Sequence, residues 1–149
     1  MSTALNHSPK FVIRQLLVDL GLGTDPSLGL SWPIYDTSEP DNPDNCITVY
    51  GPPGIEGGRL QYSGQVLISY GIQVRVRSLD PEAGWVKIHA IARAIDESVY
   101  QETVNLDSST YFVQSLSRTG DVIELGKDFQ SSERYLFTVN ATAFMWRNP

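Results

Sequence analysis

The stretch from Glu133 to Trp146 sets the tightest limit on what this chain can fold into. Its residues alternate between Tyr135, Phe137, Val139, Ala141, Ala143 and Met145 on one face and Leu136, Thr138, Asn140, Thr142, Phe144 and Trp146 on the other. A period of two among β-branched and aromatic residues is the mark of a strand. About twelve residues at ~3.3 Å each give roughly 40 Å, which is about the diameter of a domain of this length. Such a strand bends or projects. Because both faces are partly apolar, it is central in its sheet or covered by another subunit.

The chain holds further strands to pair with it. From Gly71 to Arg77, Ile72, Val74 and Val76 alternate with Gln73, Arg75 and Arg77, the pattern of a half-buried antiparallel strand. Cys46-Ile47-Thr48-Val49-Tyr50 is a β-branched strand, and Trp32-Pro33-Ile34-Tyr35 is a short extended piece whose proline favours an edge. Thr110 to Leu116 and Val122 to Leu125 are expected to form a hairpin across Ser117-Arg118-Thr119-Gly120-Asp121. Glycines and prolines from Gly51 to Gly64 predict a long exposed loop running to about Gln65.

Two helices complete the pattern. Ser8-Pro9 opens the first, with the Ser8 side chain expected to accept from the free amides of the first turn; Ile13, Leu16, Leu17 and Leu20 share a face and Gly21 permits a left-handed exit. Asp80-Pro81-Glu82 opens the second, with Ile88, Ile91, Ile95 and Val99 at helical spacing and an expected end near Tyr100, followed by a turn from Asn105 to Ser109. The fold class is therefore α+β: a mostly antiparallel sheet, two α-helices packed on one face and long exposed loops. The 149 residues are 41% hydrophobic and 19% charged, a balance that fits a single domain over residues 1–149, with 1–8 expected to be flexible.

Chemistry is sparse in this sequence. His7 falls in the expected flexible terminus and His89 on a solvated helix face, without the converging ligands that a metal needs. The lone Cys46 cannot form an internal bridge and is expected to be a small buried hydrophobe. Gly120 to Lys127 fails as a phosphate loop, since Asp128 stands where a hydroxyl residue belongs. No Gly-x-Ser-x-Gly elbow occurs. The expectation is a chain that is not an enzyme and takes no cofactor. No apolar run spans a bilayer and the start lacks a signal-peptide pattern, so no membrane is expected as a partner. A net charge of −6 argues against clamping nucleic acid by its phosphates.

Arg75 and Arg77 have two readings. Projecting from one face of a strand, they form a solvent stripe or a subunit contact in which a guanidinium pairs with a carboxylate. Asp36, Glu39, Asp41 and Asp44 are the possible counterpart, in the same chain or the next. The charge reversal Arg75→Glu with Arg77→Glu is expected to leave the fold intact and weaken assembly.

Three segments in order resemble the bacteriophage tail-terminator and minor capsid (neck, head–tail joining) proteins. They are Trp32 to Tyr35 with Pro40-Asp41-Asn42-Pro43-Asp44 and Ile47 to Tyr50; Tyr70 to Arg77 followed by a helix near Pro81; and Leu125-Gly126-Lys127-Asp128 followed by Glu133 to Asn140. The first helix, ending Leu20-Gly21-Leu22, also fits, while the loop from Gly51 to Gly64 is richer in proline and glycine than the resemblance suggests. What the resemblance implies is a structural virion protein that caps the tail tube as a homo-oligomeric ring, commonly a hexamer. It would join tail to head connector, let DNA pass through the lumen, and be assembled in the host cytoplasm. Its partners would be the tail tube protein and the connector protein. The alternatives are an adaptor on the portal side or, from another class, a small-molecule-binding α+β domain. The interface is expected at Trp32, Tyr35, Asp41, Asp44, Pro52, Pro53, Arg75, Arg77, Arg118 and Asp121.

Overall fold

A computed structural model describes residues 5–52, 55–59, 66–127 and 133–148. Its axis is a pair of long antiparallel strands, β4 (Val66–Ser78, 13 residues) and β8 (Tyr135–Asn148, 14 residues). Around them run β1 (Ile34–Asp36), β2 (Cys46–Tyr50), β3 (Ile55–Arg59), β5 (Tyr100–Leu106), β6 (Ser109–Arg118) and β7 (Ile123–Lys127). Two α-helices, α1 (Pro9–Asp19) and α2 (Pro81–Glu97), and a short 3-10 turn at Pro26–Leu28 complete the described elements. The strand order is β1-β2-β4-β8-β6-β5, with β3 beside β4 and β7 beside β8. The β1–β2 pairing is parallel, so the sheet is mixed, although every other pairing among the described strands is antiparallel.

Register explains the core. Ile72, Val74 and Val76 stand opposite Ala141, Val139 and Phe137 of β8, and Val76 and Val74 stand opposite Ile47 and Val49 of β2. All of these are buried in one cluster that also takes Val12, Ile13, Leu16 and Leu17 of α1 and Ile88, Ile91 and Ile95 of α2. Each such valine, leucine, isoleucine or phenylalanine contributes about 1.5–3 kcal/mol of burial. Helix α1 lies against β1, β2 and β4 and also against β5, at the far end of the strand order. A sheet whose two ends reach the same helix must curl. Helix α2 packs against β4, β8 and β6.

The helix starts differ in their caps. The Ser8 carbonyl accepts from Phe11 N and Val12 N, while its hydroxyl makes no capping bond, contrary to the expected side-chain cap. Asp80 caps α2 through its carboxylate, 3.1 Å from Glu82 N. Gly21 takes the left-handed exit expected of it, at φ 78°.

Several expectations need correction. Helix α2 stops at Glu97 and Tyr100 already opens β5, whose turn into β6 is confined to Asp107 and Ser108. Residues 55–59, expected in a loop, are strand β3 paired with the start of β4; residues 53–54 and 60–65 of that expected loop lie outside the described residues. The hairpin expected across Ser117–Asp121 is not a reversal. Arg118 pairs with Ala141 and Ile123 with Thr138, so β6 and β7 run in the same direction along the same edge of β8. Five steps on that edge oppose three on β8, and the surplus is an outward excursion held by Thr119 N on Asn140 O at 3.0 Å. His7, placed by sequence in a flexible terminus, instead meets the Tyr111 hydroxyl at 2.6 Å and Asp107 at 3.2 Å.

Candidate functional site

On the sheet face turned away from the core, the alternation of β4 that buries Val74 and Val76 presents Arg75 and Arg77. Their surroundings differ. Arg77 is only 2% exposed. Its Nε donates to the Asp44 carbonyl at 3.1 Å, one terminal nitrogen donates to the Pro43 carbonyl at 2.6 Å, and the other meets the Glu39 carboxylate at 3.3 Å. Arg134, just before β8, donates to the Asp41 carbonyl at 2.8 Å and lies 3.7 Å from the Asp44 carboxylate. Asn45 accepts from Leu79 N at 2.9 Å. Two buried guanidiniums therefore hold the polar segment between β1 and β2 down on the sheet. A planar fork suits this task, because it serves several carbonyls and a carboxylate at once. The intrachain reading of the acidic stretch thus holds for Arg77, and the solvent-stripe reading does not.

Arg75 sits beside this clamp without an ion pair among the described residues. Its guanidinium lies over the Tyr50 ring at 5.4 Å, and its Nε is buried with no hydrogen-bond partner among the described residues. A groove of about 620 Å³ runs past it, lined in part by Thr37, Glu39, Tyr50, Leu125 and Lys127. Burial pushes the Tyr50 hydroxyl above its ordinary pKa, and the Glu39 charge adds to this. Lys127 lies over the Tyr135 ring at 5.9 Å. The groove wall thus carries two cations against aromatic faces, a surface fitted to receive a carboxylate or a backbone carbonyl.

The remaining expected residues separate into other places. Arg118 chelates Asp96 of α2 at 2.9 and 2.8 Å and reaches Asp121 at 3.6 Å, with the Asp121 side chain 91% exposed. Trp32 takes Lys87 Nζ over its ring at 5.3 Å and lines a cleft with Pro43 and Asp44. Tyr35 is half-buried in the edge strand β1, Pro52 is exposed after β2, and Pro53 lies outside the described residues. The structure therefore brings Asp41, Asp44, Arg75 and Arg77 together, and leaves Arg118 with Asp121 as a second cluster.

Sequence reasoning missed Arg134 and Asp96. A lone arginine before a strand gives no pattern, and Asp96 reads as one more charge on a helix surface. It also missed the aromatic pair Phe112 and Trp146, stacked at 6.2 Å on the same outer face. Their alternation with Val113 and Met145 was the available signal.

Cys46 is buried, and burial pushes its thiol up to about 11. Among the described residues no three His, Cys, Asp or Glu side chains converge as metal ligands. No described helix is long and apolar enough to cross a membrane. Comparison with curated proteins finds no match to this chain. A family model described as "Bacteriophage tail terminator protein" matches residues 16–144, which take in α2, strands β1 to β7, most of β8 and the last turn of α1. The chain belongs to the bacteriophage tail terminator family.

Proposed function

We propose that this chain, a structural component of a phage tail by family, caps the tail tube as a homo-oligomeric ring. It joins the tail to the head connector, and DNA passes through the ring's lumen. The observation that carries the reading is the family match over residues 16–144. The surface supports it in two ways. The cationic, aromatic groove at Arg75 suits a carboxylate from a neighbouring subunit, and the excursion at Arg118 and Asp121 stands clear of the sheet where a partner can reach it. A net charge of −6 also suits a conduit, since an anionic wall repels phosphates and lets DNA slide.

In the host cytoplasm the assembled ring would bind the last layer of tube subunits on one side and the connector on the other. Size-exclusion chromatography with light scattering tests the ring, and co-purification with tail tube and connector subunits tests the placement. A ring that retains both partners is the expected result. Retention of the connector alone would turn the reading into an adaptor on the portal side, and a monomer indifferent to both would overturn it.

A further inference from the structure

Strand β8 is long enough to hold two unlike surfaces far apart. The Arg75 groove lies near its start, where Arg75 and Arg77 stand opposite Thr138 and Leu136. The turn from β5 into β6 lies past its other end, since Thr110 pairs with Asn148. About ten to twelve steps of strand at ~3.3 Å put roughly 35–40 Å of backbone between the two.

The groove is a positive recess on a negative chain. Arg75, Arg77 and Lys127 line it against Glu39 and Asp41, on a chain of net charge −6. Arg77 is occupied by Glu39 and by the Pro43 and Asp44 carbonyls. Arg75 and Lys127 each lie over a tyrosine ring and have no carboxylate partner among the described residues. The recess also holds an acceptor without a donor, because Glu39 Oε2 is buried with no hydrogen-bond partner among the described residues. A group that fits it brings a carboxylate for the guanidinium and a donor for Glu39.

The β5–β6 turn carries both. Asp107 and Ser108 are its two exposed residues, and Asp107 takes the left-handed conformation, at φ 53°, that tight hairpin turns use. The Asp107 side chain is 88% exposed and meets the His7 ring at 3.2 Å, but no lysine or arginine pairs with it among the described residues. Ser108 adds a hydroxyl beside it. Asp121 is as exposed but a poorer match. It already meets Arg118 at 3.6 Å, the apolar Val122 follows it, and it lies toward the groove's own end of β8, where Thr119 N bonds Asn140 O. We propose that the Asp107–Ser108 tip of one copy seats in the Arg75 groove of a second copy. The carboxylate meets the Arg75 guanidinium beside Lys127, and the Ser108 hydroxyl donates to Glu39. With tip and groove at opposite ends of β8, this is a head-to-tail contact, which closes into a ring when the rotation per step allows. Charge pairing of this sort sets partner choice and register more than strength. The inference rests on the ring reading above and names the partner of its groove.

Sedimentation equilibrium of full-chain variants tests it. Asp107→Asn keeps the left-handed turn and removes the charge, so self-association should weaken about threefold, the size of one surface pair. Arg75→Glu sets two carboxylates against each other and should weaken it about tenfold. Both should keep the far-ultraviolet spectrum of the parent. Arg75→Glu combined with Asp107→Lys restores a pair of opposite sign and should associate more strongly than Arg75→Glu alone. Asp121→Asn should associate as the parent does. An Asp107→Asn chain that assembles like the parent would overturn the seating while leaving the ring reading standing. So would a folded double variant no stronger than Arg75→Glu. A parent chain that stays monomeric at every concentration would overturn both.

Discussion

Arg75 and Arg77 are indistinguishable in the sequence pattern, yet the structure makes one a clamp and leaves the other facing a groove. The difference lies in the segment between β1 and β2, whose carbonyls close over Arg77 alone. No local pattern records where that segment lands, so only the shared face of the two arginines was legible. The paired charge reversal expected to spare the fold would not do so, because Arg77→Glu sets a carboxylate against Glu39 in a buried site. Arg77→Met should cost about 3–5 kcal/mol, as breaking a buried pair does, whereas Arg75→Glu should stay within about 1 kcal/mol. Urea unfolding of the two single variants measures both, and equal losses would refute the asymmetry. At the same scale Cys46 was read correctly, since its neighbours Ile47 and Val49 place it in a strand core. With the thiol fully buried and raised to about 11, alkylation at neutral pH should be negligible in the folded chain and rapid in urea. Asp25 gives a pH prediction with a definite sign. The Ser27 amide and hydroxyl, with Arg14 at 3.2 Å, hold its carboxyl below the ordinary 3.8. A depressed folded value contributes stability above pH 3.8 that is lost as pH falls through the folded value, and Asp25→Asn should flatten that part of the stability profile.

At the scale of elements, what was legible was whatever carried a full apolar period. Helix α2 and strand β8 have one, and both lie where Ile88, Ile91, Ile95 and the alternation after Glu133 put them. Strand β5 buries only Val104 and Leu106 among its seven residues, too few to mark a period at a sheet edge. The Ser117–Asp121 segment has the composition of a turn and still does not reverse the chain, because β8 is long enough to template β6 and β7 one after the other. Helix α2 holds a signal that composition alone would misprice. Gly84 faces the sheet where a Cβ would sit 2.6 Å from a Phe137 ring carbon and 2.9 Å from Ser78 Cβ. Alanine is the better helix former by about 1 kcal/mol, but overpacking of this kind costs about 1–3 kcal/mol. Both clashing atoms belong to buried residues that have little room to move. Gly84→Ala should therefore lower the unfolding temperature, while Ala90→Gly, on the part-exposed side of the same helix, should lower it by propensity alone. A stabilised Gly84→Ala would show that α2 can lift from the sheet at no cost.

For the molecule as a whole, two kinds of surface compete to explain how copies meet, and salt separates them. The Arg75 groove is electrostatic, with Lys127 on the same wall. The outer face at Phe112, Phe144 and Trp146 is aromatic. Each chain carries a net charge of −6, so approaching copies repel one another at long range. Raising salt from about 50 to about 500 mM shortens the screening length severalfold and weakens both that repulsion and any exposed ion pair. If an apolar contact at the aromatic face supplies most of the binding, self-association should strengthen over this range, because only the repulsion is lost. If the groove dominates, association should weaken, and Arg75→Glu should abolish the salt response along with the oligomer. Sedimentation equilibrium of the parent chain at the two salt levels distinguishes the signs directly. Strengthening is the expected outcome, because an ion pair at the half-open Arg75 groove is screened like any surface pair, whereas apolar contact at the aromatic face is not.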